Sequence, residues 1–355
     1  MSEDRPAAAS RVLLTFASLV VVVAGLRAAA PILVPVFLGF FFALLSLPLA
    51  DWLERRGVRR HLAILVTVLA GAAVVAVAGL FVTASLGELA QAVPIYQVRL
   101  QRTAQTVIGW LQTRGFLPPG WSAAELFRAA PLVDMLSGTV KGVAALLTDA
   151  VLVLLTMVFT LLEASGLREK VVAALGEPPA ERRRFARVAH EVQRYLGIKT
   201  AVSLLTGILI GVWVAIVGLD FPLLWGFLAF LFHYVPNIGA ILASVPAVVL
   251  GMVQFGVGGA TMVGVGYLVV NMVLGNFLEP QLLGRRLGLS PLVVFLSLVF
   301  WGWTWGPIGM FLSVPLTMAA KILLEATPRL AWVSTLLGPN PSPVAGEPAV
   351  EETGV

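Results

Sequence analysis

Apolar runs recur along this chain at lengths that match a lipid bilayer. Residues 12–29 form one, and a second opens at Pro31 and Pro35 and continues to Ala50. Further runs cover 62–85, 143–162 and 200–218. An α-helix needs about 20 apolar residues to cross the hydrocarbon core. With no water there to satisfy N–H and C=O groups, such runs must bond their own backbone, which makes them helices. Only 12% of the 355 residues are charged, about half the share of an ordinary soluble protein. The expected fold class is an all-α polytopic integral membrane protein. It has about eight membrane-embedded segments, including Pro/Gly-broken or re-entrant hairpins, plus an extracytoplasmic amphipathic helical segment.

Charge placement sets the expected topology. Arg55, Arg56, Arg59 and Arg60 crowd the short loop 51–61, which the positive-inside rule puts in the cytoplasm together with the N-terminus. Arg5, Arg11 and the Ala28-Ala29-Ala30 run imitate a signal peptide, but Pro31 follows any cut there, so the run reads as a first span. Five units follow. Residues 1–85 hold spans one to three, and 86–142 an extracytoplasmic amphipathic segment. Span four and a basic cytoplasmic helix occupy 143–199. A C-terminal core with broken hairpins covers 200–327, and a disordered cytoplasmic tail 328–355.

Within 86–142, Leu86, Leu89, Val93, Tyr96, Leu100, Thr103, Val107 and Trp110 make a helical stripe interrupted only by Pro94. Two readings stand: packing on the protein's own surface, or contact with another subunit. In the basic segment, Phe185, Val188, Val192 and Tyr195 share a face, as in a helix lying on the inner membrane surface. Gly207 and Gly211 form a GxxxG pair, suited to close packing inside the protomer or to a dimer contact.

The C-terminal core departs from plain spans. His233, Tyr234, Pro236, Asn237 and Gly239 interrupt the apolar limbs 221–235 and 238–255. Proline removes a backbone donor, so a continuous helix is not expected to survive there. A second pair of limbs, 292–305 and 308–324, hinges at Gly306-Pro307, with Pro315 inside its second limb. Paired interrupted segments point to a transport site near the membrane midplane. Asn271, Asn276 and Glu279 fall within about 140° on a regular helix, so all three could face one cavity. Gln281 follows them. Interhelical bonding or interfacial solvation is the plainer role for these side chains, and a substrate or ion pathway the functional one.

Asp149 lies inside the fourth span, where a charge is either paired, with Arg27 as the neighbour at similar depth, or carries a coupling ion. Asp220 reads as structural, at an outer turn. His233 reads as a hydrogen-bonded core residue that could also titrate near neutral pH. Trp301, Trp303 and Trp305 suit an interfacial belt, though their glycines also suit a hinge. The transport-pathway candidates are therefore His233, Pro236, Asn237, Gly239, Asn271, Asn276, Glu279 and Gln281. Asp149 and Glu279 are the coupling candidates.

The absence of cysteine and a count of three histidines disfavour a metal centre, and no cofactor is expected. There is no GxxxxGK[ST] loop, HExxH or GxSxG, so neither primary transport nor an intramembrane enzyme is expected. The basic clusters report topology and anionic lipid rather than nucleic acid. A scaffold without transport activity is the reading from another class; it predicts that alanine at Asn237 and Asn271 is tolerated.

Three ordered motifs carry a resemblance: GLDFPLLWGFLAFLFHYVPNIG at 218–239, NFLEPQLLGRRLGLSP at 276–291 and WGPIGMFLSVPL at 305–316. With the layout over 12–325, they resemble the AI-2E transporter family. His233-Tyr234, where apolar residues are usual, and Asn237, at an often aromatic position, depart from its pattern. The resemblance implies a permease of the bacterial inner membrane that exports a small polar solute such as autoinducer-2. The same family includes sodium/proton exchangers. It also implies a homo-oligomer, with the pentamer the best-supported state in the family.

Overall fold

The computed structural model describes residues 4–116, 150–163, 179–236, 238–283, 288–326 and 331–338. Helices α1 (Asp4–Ala28), α2 (Ala30–Arg55), α3 (Arg60–Thr113) and α4 (Ala150–Glu163) come first. Helices α5 (Pro179–Val217), α6 (Pro222–His233) and α7 (Ile238–Asn271) follow. A π-helix, Met272–Leu278, leads into α8 (Glu279–Leu283), then α9 (Pro291–Ala326) and α10 (Ala331–Leu337). No strand occurs among the described residues. Five stretches are long and apolar enough to cross a membrane, and three shorter apolar helices accompany them. The chain is an all-α, multi-pass membrane protein.

Two helices run further than the apolar pattern suggests. α3 continues through Pro94 for 54 residues, about 80 Å, against a hydrocarbon core of about 30 Å. Of its expected stripe, only Tyr96 has a described side chain. The basic segment is not a separate helix on the membrane surface, as its amphipathic face suggests. It is the start of the 39-residue α5, and Val192, Tyr195 and Leu196 pack in a core with Val34, Tyr234 and Leu312.

Three reversals shape the C-terminal half. α6 ends at His233 and α7 starts at Ile238, so the helix breaks at Pro236 as the sequence predicts. Inside α7, Gly256 has φ 71° and ψ −159°; inside α9, Gly306 has φ 67° and ψ −149°. This conformation is open to glycine and almost nothing else. Both are fold-back points. A Cβ on Gly251 would lie 3.1 Å from the Val263 side chain, whereas twelve helical residues span about 18 Å. Across the other, Trp301 Nε1 donates to Thr317 Oγ1 at 3.1 Å, over a stretch that would be about 24 Å long if straight. Trp305, buried beside this hinge, donates to the Leu26 carbonyl at 3.0 Å, and Arg27 sits 4.8 Å above the exposed Trp303 ring. So one tryptophan of the three keeps an exposed, belt-like position. Asp149 lies outside the described residues.

The glycine pair of α5 packs within the protomer. A Cβ on Gly207 would meet the Gly226 carbonyl of α6 at 2.7 Å, and one on Gly226 would meet Gly207 at the same distance. Small residues allow this backbone approach.

Asp220 fastens α3 to the core. Its carboxylate accepts from Tyr96 at 2.6 Å and from Gln254, its N–H donates to Gln254 Oε1 at 3.2 Å, and its carbonyl accepts from Trp225 Nε1 at 2.9 Å. The residue is structural, through these contacts. Burial first, then the Asp220 hydrogen bond and charge, push the Tyr96 hydroxyl up to about 12. The fold therefore holds this proton more tightly than an unfolded chain, where tyrosine titrates near 10. Stability from this group is fully present below pH 10 and falls as pH rises from about 10 to about 12. Tyr96→Phe is expected to flatten the fall of detergent-solubilised melting temperature across that window. Identical slopes for the two proteins would contradict the assignment.

Candidate functional site: a buried Lys-Glu-His centre

On α5 the polar residues Lys199, Ser203 and Thr206 recur at i, i+4 and i+7, so they share one face. That face is inward: the three are 3%, 0% and 1% exposed. Opposite its start lies Glu279, where the π-helix hands over to α8. Lys199 Nζ donates to Glu279 Oε1 at 2.6 Å, and His233 Nε2 stands 3.2 Å from Oε2. The His233 contact is an ion-pair distance, off the line of a hydrogen bond. Three separate elements thus converge on one carboxylate, with all three side chains no more than 15% exposed.

Neighbouring bonds fix the geometry. Tyr234, directly after His233, donates to Thr200 Oγ1 at 2.7 Å, and its ring packs at 4.6 Å from Phe311 and 5.7 Å from Phe230. The turn is compact. Gly239 N–H donates to the Val235 carbonyl at 3.2 Å, and a Cβ on Gly239 would collide with the carbonyl of Phe232. His233 is thereby anchored from both sides of the break. Two charged groups held out of water attract strongly, but their desolvation offsets much of that gain, so such a pair is poor evidence for stability alone. Buried charged groups in membrane segments more often mark an ion or substrate path.

A family model described as AI-2E family transporter matches residues 16–329. The chain belongs to the AI-2E transporter family. It is 38% identical to YhhT of Escherichia coli (strain K12) over 330 residues, covering 93% of this chain and 94% of that protein. It is 36% identical to the AI-2 transport protein TqsA of the same organism, over 92% of this chain and 95% of TqsA. YrrI of Bacillus subtilis (strain 168) is 26% identical over 82% of this chain and 86% of its own length.

This AI-2E family transporter does not bring all the expected residues together. Among the pathway candidates, His233 and Glu279 meet directly, with Pro236 and Gly239 forming the turn beside them. Between Asn271 and Glu279 the backbone is a π-helix, Met272–Leu278, with its own hydrogen-bond register. Asn276 is exposed, and Asn271 Nδ2 donates to the carbonyl of Tyr267 in its own helix at 2.8 Å. Gln281 is exposed on α8. Gly306 and Pro307 sit at the α9 reversal, Pro315 lies half-buried in its second limb, and Asn237 is outside the described residues.

Lys199 is the member of this cluster that charge counting misses, because it closes a basic segment and reads as one more cytoplasmic cation. The signal that would have found it is the inward stripe it begins with Ser203 and Thr206 in an otherwise apolar helix. Along α3, an open groove of about 450 Å³ is lined by Ala73, Val74, Val77, Ala78, Phe81 and Phe227. It offers a polar solute no hydrogen bond.

Proposed function

We propose that this AI-2E family transporter is a secondary transporter that exports a small polar solute, such as autoinducer-2 or a related metabolite, coupled to protons exchanged at Glu279. The observation that carries the reading is the Glu279 carboxylate, gripped by Lys199 and His233 beside the Pro236 break. The name of TqsA, an AI-2 transport protein 36% identical to this chain, supports the solute class.

Protonating Glu279 abolishes its attraction for Lys199 and leaves a buried ammonium without its counter-charge. That penalty favours a state in which α5 separates from the π-helix. His233, adjacent to the same carboxylate, carries the proton in or out. The Pro236, Gly256 and Gly306 reversals are the points where backbone can turn without breaking apolar packing elsewhere. A cation/proton antiporter is the second reading. The same carboxylate favours it, since a small cation can replace the Lys199 ammonium.

Purified protein in liposomes tests both. Proton-gradient-driven efflux of autoinducer-2 is expected for the wild type, and Glu279→Gln is expected to reduce it by about tenfold or more. Sodium uptake against a proton gradient, with no response to autoinducer-2, would favour the antiporter. Glu279→Gln with wild-type proton-driven flux of either species would overturn the role given to Glu279.

A further inference from the structure

The polar face that starts at Lys199 does not stop there. Ser203 Oγ and Tyr267 OH are both enclosed and lack a hydrogen-bond partner among the described residues. Ser203 is 0% exposed and Tyr267 is 2% exposed. Buried hydroxyls are normally satisfied by protein or by water. Two in a membrane-embedded core call for an explanation.

Two contacts fix how α5 faces the stretch that runs from the second limb of α7 through the π-helix to α8. Lys199 reaches Glu279 at one end, and at the other Trp213 Nε1 donates to the Met262 carbonyl at 3.1 Å. Residue numbers rise along α5 as they fall along its neighbour, so the two run antiparallel. At about 100° per residue, Thr206 points between the directions of Lys199 and Trp213, and Ser203 lies about 40° to the other side of Lys199. Thr206 therefore faces the stretch between Met262 and Glu279, where Tyr267 and Asn271 lie. Beyond it, the same face of α5 becomes apolar at Ile210 and Val214, both 0% exposed and packed in one core with Val263 and Tyr267.

We infer that Ser203, Thr206 and Tyr267 line a hydrated seam between α5 and α7, through which protons pass between Glu279 and the side of the membrane beyond Tyr267. Ile210, Val214 and Val263 close that seam in the conformation seen here. The inference rests on the coupling role proposed for Glu279, and it adds the route. The charged and titratable groups facing Glu279 are Lys199 from α5 and His233 from α6. Tyr195 lies one turn before Lys199 on α5, and Tyr234 follows His233. None of these lies between Tyr267 and Glu279 along the stretch from α7 to α8.

The chain contains no cysteine, so a single introduced thiol reports water access directly. Only a thiolate, which needs water to form, reacts with the small cationic reagent aminoethyl methanethiosulfonate. In the full-length protein in liposomes, Ser203→Cys is expected to be modified. Ile210→Cys, on the same face inside the apolar plug, is expected to stay unmodified in the closed state. Equal inertness of both thiols in folded protein would overturn the seam. So would equal reactivity. Flux supplies the second arm: Tyr267→Phe and Ser203→Ala/Thr206→Val are expected to lower proton-driven flux about tenfold while leaving the melting temperature unchanged. Wild-type flux in these variants, alongside a strong loss in Glu279→Gln, would sink the seam and leave the Glu279 reading standing. If Glu279→Gln keeps full flux, the Glu279 reading itself fails.

Discussion

Glu279→Ala is expected to destabilise the protein by about 3–5 kcal/mol, because it leaves the Lys199 ammonium buried without its carboxylate. Lys199 donates to that group at 2.6 Å, and its side chain is 4% exposed. Lys199→Met should cost less. The carboxylate it abandons still has His233 Nε2 at 3.2 Å, so it is not left without a partner. The double variant, Lys199→Met with Glu279→Ala, should recover much of the loss, since no isolated charge remains and methionine adapts to irregular space. Thermal unfolding of the four proteins in one detergent checks the order. A double variant no more stable than Glu279→Ala would show that a net attraction, rather than an avoided isolated charge, dominates the pair.

Gly239→Ala should be the most damaging single-methyl change. At this glycine the obstacle is the Phe232 carbonyl, a backbone atom that no side-chain rotation can clear. Overpacking a rigid site usually costs about 1–3 kcal/mol, and more when the backbone must shift. The shift here would also move His233, one residue beyond Phe232, away from Glu279. Both stability and transport are therefore expected to fall together. Gly258→Ala is the control, because a Cβ there meets nothing within 4 Å. It should change stability little, or raise it slightly through helix propensity. A Gly239→Ala protein that melts and transports like the control would mean the break tolerates another shape.

The comparison between sequence and structure turns on how far apart the cooperating residues are. The break at Pro236 is legible locally, since a missing N–H and a following glycine act within a few residues. The hinge at Gly306 is legible for the same reason. Gly256 is legible only as the position just past the limb 238–255, and the fold-back of Gly251 onto Val263 shows how sharply the chain reverses there. The π-helix between Asn271 and Glu279 is not legible. The periodicity of a sequence carries no mark of a change in hydrogen-bond register.

By itself, the sequence determined a multi-pass helical membrane protein, its proline- and glycine-centred interruptions, and the prominence of Glu279. Those properties follow from hydrophobic length and local backbone chemistry, which act residue by residue. Tertiary structure decided what Glu279 does with its charge. Lys199 lies 80 residues away in sequence and His233 sits on a third element, so no local pattern could pair them. In a low-dielectric core an ion pair depends on a few ångströms of separation. That separation is set by glycine contacts between α5 and α6, the Tyr234 anchor and the π-helix acting together.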